Sequence, residues 1–267
     1  QGQTAPSVWQ PAVGTPYQMI LTGAIDSTQL PITPIQAPIF DVDLFYTNAS
    51  SIDALHTQGK KVICYFSAGS SEDWRPDYNN FTSKDKGPCL TGWAGERYLD
   101  IRSANVISIM KKRVALAAEK GCDGIDPDNM DGTGFGFTNA DTVKYFKVLA
   151  AEAHSYGMGM GLKNRQDLAS QLKPFLEFAV NEECGLFSGD CDAYSTLIRA
   201  GKPVLHVEYA NYEIVKGEPV ISSNDTALAH LSSDELRDRL CLKGSGFAGT
   251  FSTTIKSLNL DGWVLYC

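Results

Sequence analysis

Apolar and polar positions along the chain follow two alternating periods. Short runs that are apolar throughout, or apolar at every second residue, predict strands at 39–45, 61–67, 97–101, 122–126, 158–162, 178–182, 204–209 and 262–266. Between them, apolar residues spaced by three or four predict helices at 50–59, 103–120, 139–156, 166–176, 192–200 and 233–242. Ser103 is the expected N-cap of the strongest helix, and Gly121, Gly157 and Gly201 stand where helices must stop. Residues 17–21 form a short apolar segment, expected as a first, covering strand. Residues 1–16 are polar with Pro and Gly, and are expected as an extended arm whose Trp9 and Pro11 pack across the molecule. A long loop at 68–95 and a looser region at 213–226 complete the chain. Eight strands alternating with helices, with no linker dividing them, predict an α/β fold: a (β/α)8 TIM barrel, a single domain over 17–267. The rival is an open doubly wound sheet, but no G-x-G-x-x-G follows any strand.

Composition narrows the class without changing the fold. The chain has 267 residues, 43% hydrophobic and 20% charged, enough for a sizeable core. Its net charge is −8, and no Lys/Arg-rich run exists, so nucleic acid and anionic membrane surfaces are not expected partners. No apolar run approaches the ~20 residues that span a bilayer. Three N-x-S/T sequons, at Asn48, Asn80 and Asn224, point to a secreted, extracellular glycoprotein, and a chain starting at Gln1 fits a removed leader. Secretion permits disulfides. Cys184 and Cys191 are close enough for a local bridge, Cys241 is a reasonable partner for Cys267, and Cys64, in an apolar strand, is the candidate for the unpaired thiol among seven cysteines. A monomer is expected.

Polar side chains collect where the predicted strands stop. They are Asp41 and Asp43; Tyr65 and Ser67; Asp100; Asp126, Asp128 and Asn129; Lys163 and Asn164; Asn181, Glu182 and Glu183; Glu208 and Tyr209. One acid at a strand end is commonly a helix cap. Acids after most of eight strands fit a barrel mouth, where the C-terminal strand ends converge. The densest stretch is Gly124-Ile-Asp-Pro-Asp-Asn-Met-Asp-Gly132. Period-two alternation turns Gly124 and Asp126 inward and Ile125 towards the helices. Asp128 and Asp131 also suit an Asx turn and a cap. Gly159 and Gly161 likewise face inward, which aims Lys163 at the acids. On 178–182, Phe178 and Val180 read as helix-facing, so parity favours Asn181 and Glu183 inside over Glu182, although strand ends often bulge.

Two mouth carboxylates with opposed pKa values are what glycoside hydrolysis uses: one protonates the leaving oxygen, the other attacks or activates water. The loop residues Glu72, Trp74 and Arg75, and then Trp93 and Glu96, mix aromatics with charges. Such aromatics stack on sugars or fold into an outer core. A metal-dependent hydrolase using Asp126, Asp128 and Asp131 is a rival, but the four histidines form no metal-spaced pair, so neither metal nor cofactor is expected. A catalytically silent sugar-binding barrel is the second rival.

Five runs together resemble glycoside hydrolase family 114, the secreted endo-α-1,4-polygalactosaminidases of fungi and bacteria. They are Cys64-Tyr-Phe-Ser-Ala-Gly-Ser-Ser-Glu-Asp-Trp-Arg-Pro-Asp77, Gly92-Trp-Ala-Gly-Glu-Arg-Tyr-Leu-Asp-Ile-Arg102, Gly121-Cys-Asp-Gly-Ile-Asp-Pro-Asp-Asn-Met-Asp-Gly132, Gly161-Leu-Lys-Asn164 and Ala179-Val-Asn-Glu-Glu-Cys184. The resemblance implies a (β/α)8 barrel that cleaves α-1,4-linked galactosamine polymers such as deacetylated galactosaminogalactan. It implies Asp126 as nucleophile or base and Glu182, rather than Glu183, as acid. Many relatives carry Glu where this chain has Asp126, so one arm is a methylene shorter here. The other mouth and loop residues named above are the expected substrate-binding set, and an amino-sugar polysaccharide is the expected partner. A polycationic substrate would give the −8 charge a purpose.

Overall fold

Eight parallel strands form in the order in which the chain lays them down: β1 (Tyr17–Ile20), β2 (Ile39–Asp43), β3 (Lys61–Ser67), β4 (Gly124–Asp128), β5 (Gly159–Lys163), β6 (Phe178–Glu182), β7 (Val204–Tyr209) and β8 (Ser252–Lys256). Each is hydrogen-bonded to the next. The computed structural model describes residues 7–28, 31–130, 135–187, 189–210, 212–215, 218–221, 231–242 and 246–267. Asp131, Asn224 and the first six residues of the expected arm lie outside them. Among the described residues, β8 and β1 share no ladder. Side chains close that seam: Lys256 Nζ donates to Gln18 Oε1 at 2.7 Å and to the carbonyl of Asp261 at 2.7 Å.

The strands differ from the expected set at both ends. Tyr17–Ile20 is a full barrel strand, not a cover. The segment expected as a barrel strand at 97–101 is instead Glu96–Leu99, the middle strand of a small antiparallel sheet with Ser70–Glu72 and Lys86–Cys89. A parallel neighbour needs a crossover, usually a helix, and the chain between 67 and 96 offers only a three-residue 3-10 turn, Tyr78–Asn80. The expected last strand at 262–266 shrinks to Leu265–Tyr266, antiparallel to β8. β8 itself was not foreseen, although its Ser-Thr-Thr-Ile-Lys sequence is rich in β-branched residues. Two strands are lost and two gained, so Gly124–Asp128 remains fourth and Phe178–Glu182 sixth.

The barrel interior holds Tyr17, Met19, Ile39, Ile63, Phe178, Val180, Leu205, Val207 and Tyr209 as one apolar cluster, with Trp9 packed against it. Phe178 and Val180 therefore face inward, contrary to expectation. Glycines make room for the Phe178 ring: a Cβ added to Gly161 would stand 2.6 Å from Phe178 Cε2 and 2.9 Å from the Ile125 carbonyl oxygen. The sequence rule that places apolar residues outward failed here because this barrel pairs small residues on β4 and β5 with a large one on β6. The alternate residues, among them Phe40, Val42, Phe66, Ile125 and Met160, join the helices in the outer core.

The two long helices form as the sequence indicates. Ala104–Lys120 is capped by Ser103 and stopped by Gly121 at φ +93°. Asn139–Ser155 starts in a Thr138–Asp141 capping box. Helices after β5 and β6 shorten to Ala169–Leu172 and Ser195–Ile198, flanked by 3-10 turns. Disulfides join Cys184 to Cys191 and Cys241 to Cys267, as expected. Cys64 is not free. It bonds Cys122, because the turn after Gly121 swings back onto β3, with Asp123 N donating to the Val62 carbonyl at 2.7 Å. The unpaired thiol is the exposed Cys89. Among the described residues no helix is long and apolar enough to cross a membrane.

Candidate active site

Three consecutive strands end in a left-handed residue: Asn129 after β4 at φ +62°, Asn164 after β5 at +50°, and Glu183 after β6 at +67°. Such conformations cost roughly 1–2 kcal/mol for a residue with a side chain and gather at functional sites. Here each one ends its strand abruptly and leaves the last inward side chain at the mouth. Those side chains are Asp128, Lys163 and Glu182. Proline contributes as well. The β4–β5 ladder stops at Ile125 opposite Met160, two residues before Pro127, which has no N–H to give.

Lys163 is the hub. Its Nζ lies 3.5 Å from Asp126 Oδ2 and 3.6 Å from both Asp128 Oδ2 and Glu182 Oε2, over the Tyr65 ring at 4.9 Å. Burial alone would push its ammonium down, but the surrounding carboxylates raise it well above its ordinary value, so it stays charged. Tyr65 donates its hydroxyl to Asp128 Oδ2 at 3.0 Å, and the Asn129 N–H meets Oδ1 at 2.7 Å. Glu182 is gripped from two sides. The Tyr209 hydroxyl donates to Oε1, Asn164 Nδ2 donates to Oε2 at 3.2 Å, and Asn164 Oδ1 accepts the Glu182 N–H at 2.9 Å.

Depth separates the acids. The Asp126 side chain is 0% exposed, whereas Asp128 and Glu182 keep 18% and 24%. Asp126 sits two residues deeper on the strand, about 6–7 Å below Asp128. Burial raises Asp126 to about 7, with Lys163 opposing. Burial also raises Asp128, assisted by Glu182. Burial would raise Glu182 too, but Lys163, Tyr209 and Asn164 together bring it below the usual range. The two tyrosines keep their protons, because burial and the neighbouring carboxylates lift both far above 10.

Several expected mouth residues lie elsewhere. Asp43 faces inward but is closed off by Arg75, which donates to both of its oxygens at 2.9 and 2.6 Å and to Glu72 Oε1 at 2.7 Å. That guanidinium also lies over the rings of Phe45 and Tyr46. All three ionic groups are buried, so they brace the loop rather than line a groove. Asp100 pairs with Arg102 at 2.9 Å near the start of helix Ala104–Lys120, away from the carboxylate cluster. Glu208 follows the outward parity of β7. It lies 3.0 Å from His206 Nε2 and accepts the Gly185 N–H at 2.9 Å. Asp41 is inward but fully buried. Ser67 and Glu96 are buried in a relay: Asn129 Nδ2 donates to Ser67 Oγ at 2.9 Å, Ser67 and Ser70 hydroxyls meet at 2.6 Å, and Ser70 donates to Glu96 at 2.6 Å. Ser70 was missed, and only its place one turn from Ser67 could have flagged it. Trp74 and Trp93 are exposed, in the turns that follow Glu72 and precede Glu96 at one end of the small antiparallel sheet. Glu183 heads a 3-10 turn outside the strand, so parity, correctly assigned, selects Glu182 for the mouth.

A (β/α)8 barrel with paired, partly exposed carboxylates at its C-terminal mouth is the architecture of a glycoside hydrolase. The model of glycoside-hydrolase family GH114 matches residues 1–267, and the chain belongs to that family. A crystal structure of Aspergillus fumigatus Ega3 in complex with galactosamine superposes with a TM-score of 0.80, at 39% identity over 100% of both chains. The glycoside hydrolase domain of PelA from Pseudomonas aeruginosa shares the fold at TM-score 0.64 and 14% identity, over 92% of this chain and 96% of that one. A GH20 β-N-acetylhexosaminidase from Streptomyces coelicolor A3(2) also shares it, at TM-score 0.64 and 10% identity, over 93% of this chain and 60% of that one. No curated protein sequence matched.

Proposed function

We propose that the enzyme cleaves α-1,4-linked galactosamine polymers within the chain, and that Asp128 and Glu182 are the reacting carboxylates. The observation that carries the pair is exposure. Both reach solvent at the mouth, while Asp126, the acid expected from the sequence, has no exposed surface to offer a sugar. Both lie 3.6 Å from one ammonium, so the oxygens concerned cannot be further apart than twice that distance. This fits the roughly 5–5.5 Å of retaining enzymes and reaches only the lower edge of the ~6.5–9.5 Å of inverting ones. The substrate class rests on the 39% identical relative bound to galactosamine, and on a mouth of acids that suits a sugar bearing ammonium groups.

Glu182 ionises more easily than Asp128. This runs against the expected role of Glu182 as acid, and two groups sharing Lys163 titrate as a unit. A leaving group that needs no proton assigns the roles, since only the variant lacking the acid keeps its activity on such a substrate. Secretion, which the three disulfides support, belongs to the same reading, as do a monomeric state and glycosylation at the exposed Asn48 and Asn80.

Mass spectrometry of products from deacetylated galactosaminogalactan tests the function. Internal oligosaccharides of galactosamine are expected, and an intact polymer rejects the reading. Asp128→Asn and Glu182→Gln are each expected to lower kcat by ~10³-fold or more. Full activity in either removes that residue from the pair.

A further inference from the structure

Asp41 plays no part in the reaction proposed above, yet it is buried amid the charges of the site. It lies on β2 between Met19 of β1 and Ile63 of β3 in register, with no exposed surface. Neither of its oxygens meets an N–H or O–H donor, and Asp126 Oδ1 is in the same state. Both carboxyls are fully buried on inward positions of the barrel, and Asp126 opposes the ionisation of Asp41. The ionisable groups facing Asp41 are Tyr17 from β1, Asp126 and Asp128 from β4, Lys163 from β5 and, through Tyr17, Glu182 from β6.

Two adjacent buried carboxylates cannot both ionise cheaply, and an orphaned buried oxygen costs free energy. One proton between them removes both penalties: a neutral carboxyl donates, and its partner remains an anion. Burial, and then Asp126, hold Asp41 well above the usual carboxylate range, so Asp41 is the member that carries the proton.

We propose that Asp41 is a positioning residue: it donates a hydrogen bond to Asp126, and the resulting carboxyl–carboxylate platform sets Lys163 against Asp128 and Glu182. The inference rests on the reading of those two acids as the reacting pair. Lys163 Nζ spans the interval, 3.5 Å from Asp126 below and 3.6 Å from each acid above. Without the Asp41 donor, the free Asp126 oxygen must take up a proton itself. Lys163 then loses its anion below and leans on the reacting pair, which lowers both of their pKa values and moves the activity profile to lower pH.

Difference infrared spectroscopy near pH 7 tests the shared proton without reference to activity. The wild-type protein is expected to show a protonated-carboxyl C=O band that Asp41→Asn lacks. Protonated-carboxyl absorption of equal intensity in both, beyond what buried acids such as Glu96 and Asp128 contribute to each, overturns the proposal. Kinetics test the positioning. Asp41→Asn retains a donor, so its pH optimum stays within about half a unit of wild type, whereas Asp41→Leu moves it down by about one unit and loses ~10²-fold in kcat. Identical pH profiles for the Asn and Leu variants overturn the positioning role. If Asp41→Leu does not fold, the infrared comparison decides alone. If no amino-sugar polymer is cleaved by the wild type, the proposed function fails while the infrared result still judges the platform.

Discussion

Glu182 owes its charge state to ammonium, hydroxyl and amide donors on two other strand ends: Lys163 and Asn164 at the end of β5, and Tyr209 at the end of β7. The Tyr209 contact is the simplest to remove. Since that hydrogen bond lowers the Glu182 pKa, Tyr209→Phe raises it, and the limb of the kcat/KM profile governed by Glu182 moves to higher pH by up to about one unit. A depressed carboxylate stabilises the fold above its unfolded pKa and loses that contribution as pH falls through the folded value. Tyr209→Phe therefore also lowers Tm at neutral pH more than at pH 3. An unmoved profile would mean that the Tyr209 hydroxyl does not tune Glu182. Tyr209, Tyr65, Lys163 and Asn164 were all legible as candidates from strand-end position. Their mutual hydrogen bonds were not, because those depend on contacts 18 to 63 residues apart in sequence.

At the level of elements, the mouth depends on how tightly the turn after β3 passes the end of β4. The Asp128 carbonyl accepts the N–H groups of Ala68 and Gly69, at 2.8 and 3.0 Å. A Cβ on Gly69 would stand 1.6 Å from the Asn129 carbonyl oxygen, a backbone atom that cannot step aside alone. Gly69→Ala is expected to displace the Asp128–Asn129 turn, costing ~10²-fold in kcat for about 1–3 kcal/mol of stability. A Tm loss with intact kcat would show that the turn tolerates the shift. Period-two patterns found most of the strands but could not tell barrel strand from hairpin strand. Glu96–Leu99 forms a strand as β4 does; what excludes it from the barrel is the missing helical crossover before it.

Over the whole molecule, net charge and mouth chemistry point the same way. A chain of charge −8 with an acidic mouth attracts a polycation over distances that salt shortens, with a Debye length of about 10 Å at 0.1 M. Raising salt from 0.05 to 0.5 M (roughly a threefold shorter screening length) is expected to raise KM for the deacetylated polymer several-fold and leave kcat nearly constant. A KM that does not respond to salt would assign recognition to short-range contacts, with the exposed Trp74 and Trp93 as the stacking candidates.

The sequence by itself determined the alternation of strands and helices, the helix caps at Ser103 and Gly121, two of the three disulfides and the stretch that carries the acids. Apart from the Cys241–Cys267 bridge, which spans 26 residues, these are local properties: periodicity, capping chemistry and short spacing act between neighbours in the chain. Tertiary structure decided the rest. It showed that Phe178 fills the space left by glycines on the next strands, which reverses the parity of β6 and brings Glu182 to the mouth. It bonded Cys64 to Cys122, and it hid Asp126 beneath Lys163 while leaving Asp128 open. Which inward side chain lies deep and which meets solvent depends on where every neighbouring strand stops, and no single strand carries that information.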